Sequence, residues 1–185
     1  KAIPRVTLTD DAGRHAVVTV IAGPLGGGGA RPPSPPPRSW ASRADTDVAI
    51  WTVRGEPKAR WTLPPASDPR TTRTLYFFRG SSLGINGERL TSRAAVVVRS
   101  DRELSLEAGD EAVDVLVLQG RPIGDPVVQH GPFVMNTRAE IQQAITDYQR
   151  TRFGGWPWPS DAPVHPRDEV RFARHADGRT ERFER

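Results

Sequence analysis

Residues Gly-Ser-Ser-Leu-Gly at 80–84 fit the G-x-S-x-G spacing in which a serine, here Ser82, acts as a nucleophile. That chemistry needs a strand, a sharp turn and then a helix, so that the hydroxyl stands exposed and the next amide can hold an oxyanion. Thr-Leu-Tyr-Phe-Phe at 74–78 supplies a strand, but Leu-Gly-Ile-Asn-Gly-Glu-Arg-Leu follows and reads as a hairpin. A strand-to-strand turn is the better account of Ser82. Gly-Pro-Leu-Gly-Gly-Gly-Gly at 23–29 suggests a phosphate cradle. No Lys-Ser/Thr follows it, however, and the proline-rich residues next to it cannot open the helix whose amides would hold the phosphate.

The four histidines, His15, His130, His165 and His175, form neither His-x-His nor His-x-x-x-His. His165 and His175 with Asp168 and Glu169 would be the remaining acid-and-imidazole grouping, and their spacing is not that of a metal site. His130 precedes Gly131-Pro132 and reads as a structural residue at a turn rather than an acid or base. Trp156 and Trp158 could stack on bases, but covering an apolar core edge or forming a protein interface suits them better.

Bulk composition narrows the classes further. The chain has 185 residues, enough for one domain with a real core, and is 36% hydrophobic, near an ordinary globular protein once its 17 glycines are counted. No apolar run is long enough for a membrane helix, and no signal peptide is visible at the N-terminus. The absence of cysteine excludes disulfides and thiolate chemistry and fits a reducing compartment, so a cytoplasmic location is expected. Net charge is +4, and all but two of the 26 basic residues are arginine, which lifts the pI to 10.3. Those arginines are interleaved with acids rather than gathered on one face, which argues against direct nucleic-acid binding. The chain starts at Lys1 and its single methionine is Met135, so a processed form, an excised piece or the remnant of a longer protein is expected.

The positioning elements are mostly short strands. Strand character runs through His-Ala-Val-Val-Thr-Val-Ile-Ala within 1–23, then 48–54, 58–63, 74–78, 83–86, 94–100, 103–108 and 112–119, the last of which reads as a central strand. Asn86-Gly87 is a two-residue hairpin turn in which both residues need positive φ. Residues 24–39, rich in Gly and Pro, predict an exposed, mobile loop with polyproline II character. After Pro126, Ile141, Ala144, Ile145 and Tyr148 mark one face of a helix at about 138–152, expected to pack on the sheet. Thr137-x-x-Glu140 is its capping box, and Gly154-Gly155 is its expected end. The charged residues at 161–185 predict a tail whose last dozen residues are frayed.

The stretch from 119 to 159, with Gly-Arg-Pro-Ile-Gly-Asp-Pro-Val-Val, Gly-Pro-Phe-Val-Met-Asn-Thr and Phe-Gly-Gly-Trp-Pro-Trp-Pro, resembles the end of the C-terminal cupin domain of the pirin family. Residues 5–23, 74–90 and 103–118 resemble the segment joining the family's two cupins and its paired cupin strands. The resemblance implies a mostly β, cupin-type sandwich or jelly roll with one C-terminal helix. It divides the chain into inter-cupin linker and first strands (1–23), loop (24–39), cupin domain including the helix (40–160) and tail (161–185). Pirins have two cupins, with iron in the N-terminal one held by three histidines and a glutamate. They are associated with quercetin 2,3-dioxygenase activity and, in animals, with nuclear transcriptional co-regulation.

Carrying the cupin metal motif onto this chain puts the glutamate near Arg73, the paired histidines in 64–70, which has none, and the last histidine at Ala112. A guanidinium is no ligand and repels a cation. The resemblance therefore implies no catalytic, cofactor or metal residue in this chain, with iron only in a missing N-terminal cupin. His130 falls in a corner that helps hold the two cupins together, with Phe133, Val134 and Met135 expected to be buried. The leading expectation is a non-catalytic cupin domain that supports a metal-bearing N-terminal half, pairs with a second copy, or contacts another protein. The alternatives are a contribution to an iron-dependent quercetin 2,3-dioxygenase-like enzyme and a stand-alone small-molecule-binding cupin.

Overall fold

The computed structural model describes residues 3–26, 30–156, 158–161, 167–175 and 177–182. The chain forms two compact units, residues 1–123 and 124–185. The first contains β1 (Arg5–Thr9), β2 (His15–Ala22), β3 (Ala49–Gly55), β4 (Arg60–Leu63), β5 (Thr72–Arg79), β6 (Leu83–Ile85), β7 (Glu88–Leu90), β8 (Ala94–Val98), β9 (Leu104–Ala108) and β10 (Val113–Gly120). They pair antiparallel into a six-stranded sheet, ordered β1-β2-β3-β10-β5-β8, and a four-stranded sheet, ordered β4-β9-β6-β7. This is the expected cupin-type, mostly β architecture.

Alternation decides which side chains enter the core. Ala16, Val18 and Val20 of β2, Val53 of β3, Leu75 and Phe77 of β5, and Val113, Val115 and Val117 of β10 are each at most 2% exposed. Trp61, Leu63, Leu83, Leu104 and Leu106 join them from the four-stranded sheet. β10 lies between β3 and β5 in the order expected of a central strand, and its outward Leu118 is 36% exposed, which explains its weak polar alternation. Asn86 and Gly87 take φ of 48° and 90° between β6 and β7, as their dipeptide demands. Asp10 closes the turn between β1 and β2 by accepting from the amides of Ala12 and Arg14, both at 2.9 Å, and it reaches across to the amide of Arg60 at 3.1 Å.

The second unit contains β11 (Val128–His130), β12 (Phe133–Met135), α1 (Arg138–Thr151), β13 (Phe172–Arg174) and β14 (Thr180–Arg182). Thr137 and Glu140 form the expected capping box. The helix ends differently from expectation. Arg152 itself takes the left-handed position, with φ of 49°, and a short 3-10 turn carries the chain to Gly154. Ile141 and Ala144 are buried, and α1 packs on the β11–β12 ribbon, with Phe133, Tyr148 and Phe153 in edge-to-face contact at 5.4–6.2 Å.

Two further expectations are corrected. Val134 is 55% exposed, because neighbouring strand residues face opposite ways and its two neighbours are the ones turned inward. Within the stretch expected to be frayed, β14 (Thr180–Arg182) pairs with β13 (Phe172–Arg174) as a hairpin. His175 N donates to Arg179 O at 2.8 Å, Gly178 has φ of 86°, and Arg174 and Arg182 lie over the Phe172 ring. Residues 183–185 and His165 lie outside the described residues, as do 27–29 of the glycine run. Among the described residues no helix is long and apolar enough to cross a membrane.

Candidate functional site

Arg73, Leu75 and Phe77 alternate along β5, so all three side chains point into the sandwich. In register, Arg73 stands opposite Gln119, Leu75 opposite Val117 and Phe77 opposite Val115. The two inner layers are apolar, and the layer at the end of the barrel holds a charge. Arg73 is 0% exposed. Its Nε and Nη2 both donate to Gln119 Oε1, at 2.8 and 2.5 Å, and its guanidinium carbon lies 5.8 Å from the centre of the Trp51 ring. Nη1 is buried and has no hydrogen-bond partner among the described residues.

Gln119 links this cation to the loop that closes the barrel end. Its Nε2 donates to Asp47 O at 3.1 Å. Asp47 sits at φ of 51°, and its Oδ2 accepts from Thr71 Oγ1 at 2.8 Å and from the amide of Ser67 at 2.9 Å. Ser100 Oγ donates to Thr71 O, and the amide of Ala66 donates to Ser100 O at 2.7 Å. Thr46, Thr71, Arg73 and Ser100 are thus four buried polar residues gathered at one end. Burial pulls the Arg73 pKa below the usual arginine value, and the Asp47 carboxylate opposes that fall. Trp51 Nε1 donates to Gly23 O at 3.1 Å, and Gly23 is obligatory there, because a Cβ would come within 2.2 Å of Val48 O.

The residues weighed in the sequence are dispersed. Ser82 lies between β5 and β6, strand to strand; it is 9% exposed, and its Oγ accepts from Arg89 Nη1 at 3.4 Å. His15 faces Thr9 Oγ1 at 3.1 Å, and His175 pairs with Glu181 at 3.3 Å in the tail hairpin. His130 is exposed at the end of β11, facing Phe133 across the ribbon. Trp156 is 54% exposed, with its Nε1 on Ser160 O and its ring 6.4 Å from that of Trp158. Among the described residues no three His, Asp or Glu side chains come together as a metal site, and the position carried over for the carboxylate ligand holds the Arg73 guanidinium. The donor set does not suit a cupin iron. Sequence reasoning missed Asp47, Gln119 and Thr71. The available signal was an arginine in step with Leu75 and Phe77.

The profile of the pirin C-terminal cupin domain matches residues 50–154, from β3 to the turn after α1. The chain belongs to the pirin family. A pirin-like protein of Caulobacter vibrioides is 34% identical over 138 residues, covering 75% of this chain and 43% of the relative. A Pseudomonas aeruginosa protein provisionally named a quercetin 2,3-dioxygenase is 36% identical over 152 residues, covering 82% of this chain and 47% of the relative. Among solved structures, a quercetin 2,3-dioxygenase from Acinetobacter baumannii superposes with a TM-score of 0.61 at 30% identity, over 82% of this chain and 48% of that one. The chain spans less than half the length of these relatives.

Proposed function

We propose that this chain is the metal-free half of a two-cupin pirin-like protein, a non-catalytic domain that supports a metal-bearing N-terminal cupin. The observation that carries this reading is Arg73. Its guanidinium is packed into the barrel where a carboxylate ligand would stand, and Gln119 holds it from two nitrogens. The length of the relatives leaves room for a second cupin. Among the described residues the ribbon of β11 and β12 pairs with no third strand, and Val127 beside it, Val134 on it, and Tyr148 and Phe153 on the helix and turn that follow are 48–76% exposed, which suits docking on another cupin half or on a second copy. Many surface arginines already pair with nearby acids, as Arg70 does with Asp68 at 2.6 Å and Arg99 with Asp101 at 2.7 Å, which favours protein over nucleic-acid partners.

A second reading is favoured by the name of the solved relative. The parent would be an iron-dependent dioxygenase acting on a flavonol-like substrate, and this chain would contribute pocket wall and no ligand. A stand-alone small-molecule cupin fits less well, because Trp51, Leu75, Phe77 and Val117 fill the barrel interior.

Metal analysis and quercetin turnover on the purified chain test the proposal. Trace iron and no turnover are expected, and stoichiometric iron held by this chain, or turnover without an added partner, overturns it. Sedimentation then distinguishes a self-paired chain from one that needs another half.

A further inference from the structure

The proline-rich stretch Arg-Pro-Pro-Ser-Pro-Pro-Pro-Arg at 31–38 lies outside the segment matched by the family and plays no part in the barrel chemistry. Its conformation follows from its sequence. Proline fixes its own φ near −65° and bars the residue before it from the α region. Arg31, Pro32, Ser34, Pro35 and Pro36 all precede a proline, so the run is held extended. Pro37 is the first residue after Pro36 that is released from that constraint, and the chain turns there, with the amide of Ser39 donating to Pro36 O at 3.0 Å. From 30 to 36 there is no helix, strand or turn.

A polyproline II helix repeats about every three residues. Pro32 and Pro35 therefore share one row, Pro33 and Pro36 the next, and Arg31 and Ser34 the third. Two Pro-Pro steps thus follow in succession with a cation at each end; Pro32-Pro33 is half-buried and Pro35-Pro36 is exposed. Residues 34–38 are exposed, and neither Arg31 nor Arg38 makes an ion pair among the described residues. The C-terminal foot of the strap is rigid. Trp40 Nε1 donates to Arg121 O at 3.3 Å, Arg43 and Arg121 lie 4.7 and 5.7 Å from its ring, and Asp45 pairs with both arginines. A groove of about 910 Å³ runs along the strap, lined by Pro32, Pro33 and Pro35 on the strap and by Ile21, Val48 and Ile50 of the body.

We propose that residues 31–38 are a presented polyproline II ligand for a partner protein whose groove is floored by parallel aromatic rings and rimmed by carboxylates. Such grooves take successive proline steps and gain from a pre-set, low-entropy helix, while their acids select the flanking arginine. The folded body supplies anchorage and the strap supplies the contact.

The probe is an isolated SH3 domain with a tyrosine-lined groove and an acidic rim, titrated with the full chain by calorimetry. Saturable one-to-one binding is expected, and P35A/P36A should weaken it by about tenfold or more with an unchanged melting temperature. R38A should cost about threefold. A synthetic peptide of residues 31–38 should compete. The proposal is overturned if the probe binds a control Pro-x-x-Pro peptide but not this chain, if P35A/P36A binds as tightly as the parent, or if the peptide fails to compete, a readout that does not depend on the variant folding.

Discussion

Arg73 and Phe77 stand on the same face of the same strand, and both are buried, at 0% and 2% exposure. Phe77 is held by apolar neighbours alone, since its layer contains Val115 and Val53. Arg73 sits in a layer that recruits Gln119 as its acceptor, backed by Asp47 and Thr71, and still leaves Nη1 without a partner among the described residues. Alternation along a strand decides that a side chain goes inward, and it is silent on what that side chain will need once there. An apolar layer tolerates any neighbours of the right shape, whereas a charged one constrains the loops around it.

The largest effect should come from the apolar layer. Phe77→Ala removes a large buried ring and should lower stability by about 3–5 kcal/mol in chemical denaturation. A loss below about 1 kcal/mol would mean that the layer is not packed as described. Next comes the charged layer. Gln119→Leu leaves the guanidinium without its acceptor and should cost about 2–3 kcal/mol. Arg73→Met combined with Gln119→Leu should return to within about 1 kcal/mol of the parent, because an apolar pair of similar volume replaces a buried charge at little net cost. Strict additivity of the two substitutions would break the contrast between the layers.

Smaller effects lie outside both layers. Thr137→Ala deletes the capping box of α1 and should cost about 1 kcal/mol, read as a lower melting temperature with reduced helical signal. The last prediction concerns pH. Partial desolvation pushes the Asp10 carboxyl up, but the amides of Arg14 and Arg60, the Arg14 side chain and the Ala12 amide outweigh it and hold the pKa down at about 2, against 3.8 for a free carboxyl. A depressed carboxyl stabilises the fold above its unfolded value, and that contribution fades as pH falls from about 4 through about 2. Asp10→Asn should flatten the acid limb over that window, while Arg73→Met should leave the shape of that limb unchanged, since the guanidinium stays charged throughout it.

Local chemistry made much of this legible in the sequence. Asn86-Gly87 fixes its own φ angles, Thr137 and Glu140 find each other three residues apart, and β10 declares its central place by a nearly unbroken apolar run. Arg73 was legible too, as the residue standing near the position where the resemblance carries the cupin glutamate, but its burial was not. Its partners were not, because pairing Arg73 with Gln119 requires the register of two strands 46 residues apart, and Asp47 enters only through a left-handed turn that no motif announces. The helix stops within a residue of the expected 152, but its cap was misassigned, because Gly154-Gly155 looks like a stop signal, yet Arg152 adopts the left-handed conformation first, and Thr151 Oγ1 then accepts from the amide of Phe153. The tail hairpin was hidden beneath a charged composition, and its signal, Asp177-Gly178, is only two residues long.

One consequence of Arg73 reaches beyond stability. A positive charge that is covalently part of β5 has no dissociation constant. It cannot be stripped by a chelator or exchanged for a rival ion, and no cellular supply chain has to deliver it. The charge at that end of the barrel is therefore present as soon as β5 is made, and it waits only for Gln119, which arrives with β10.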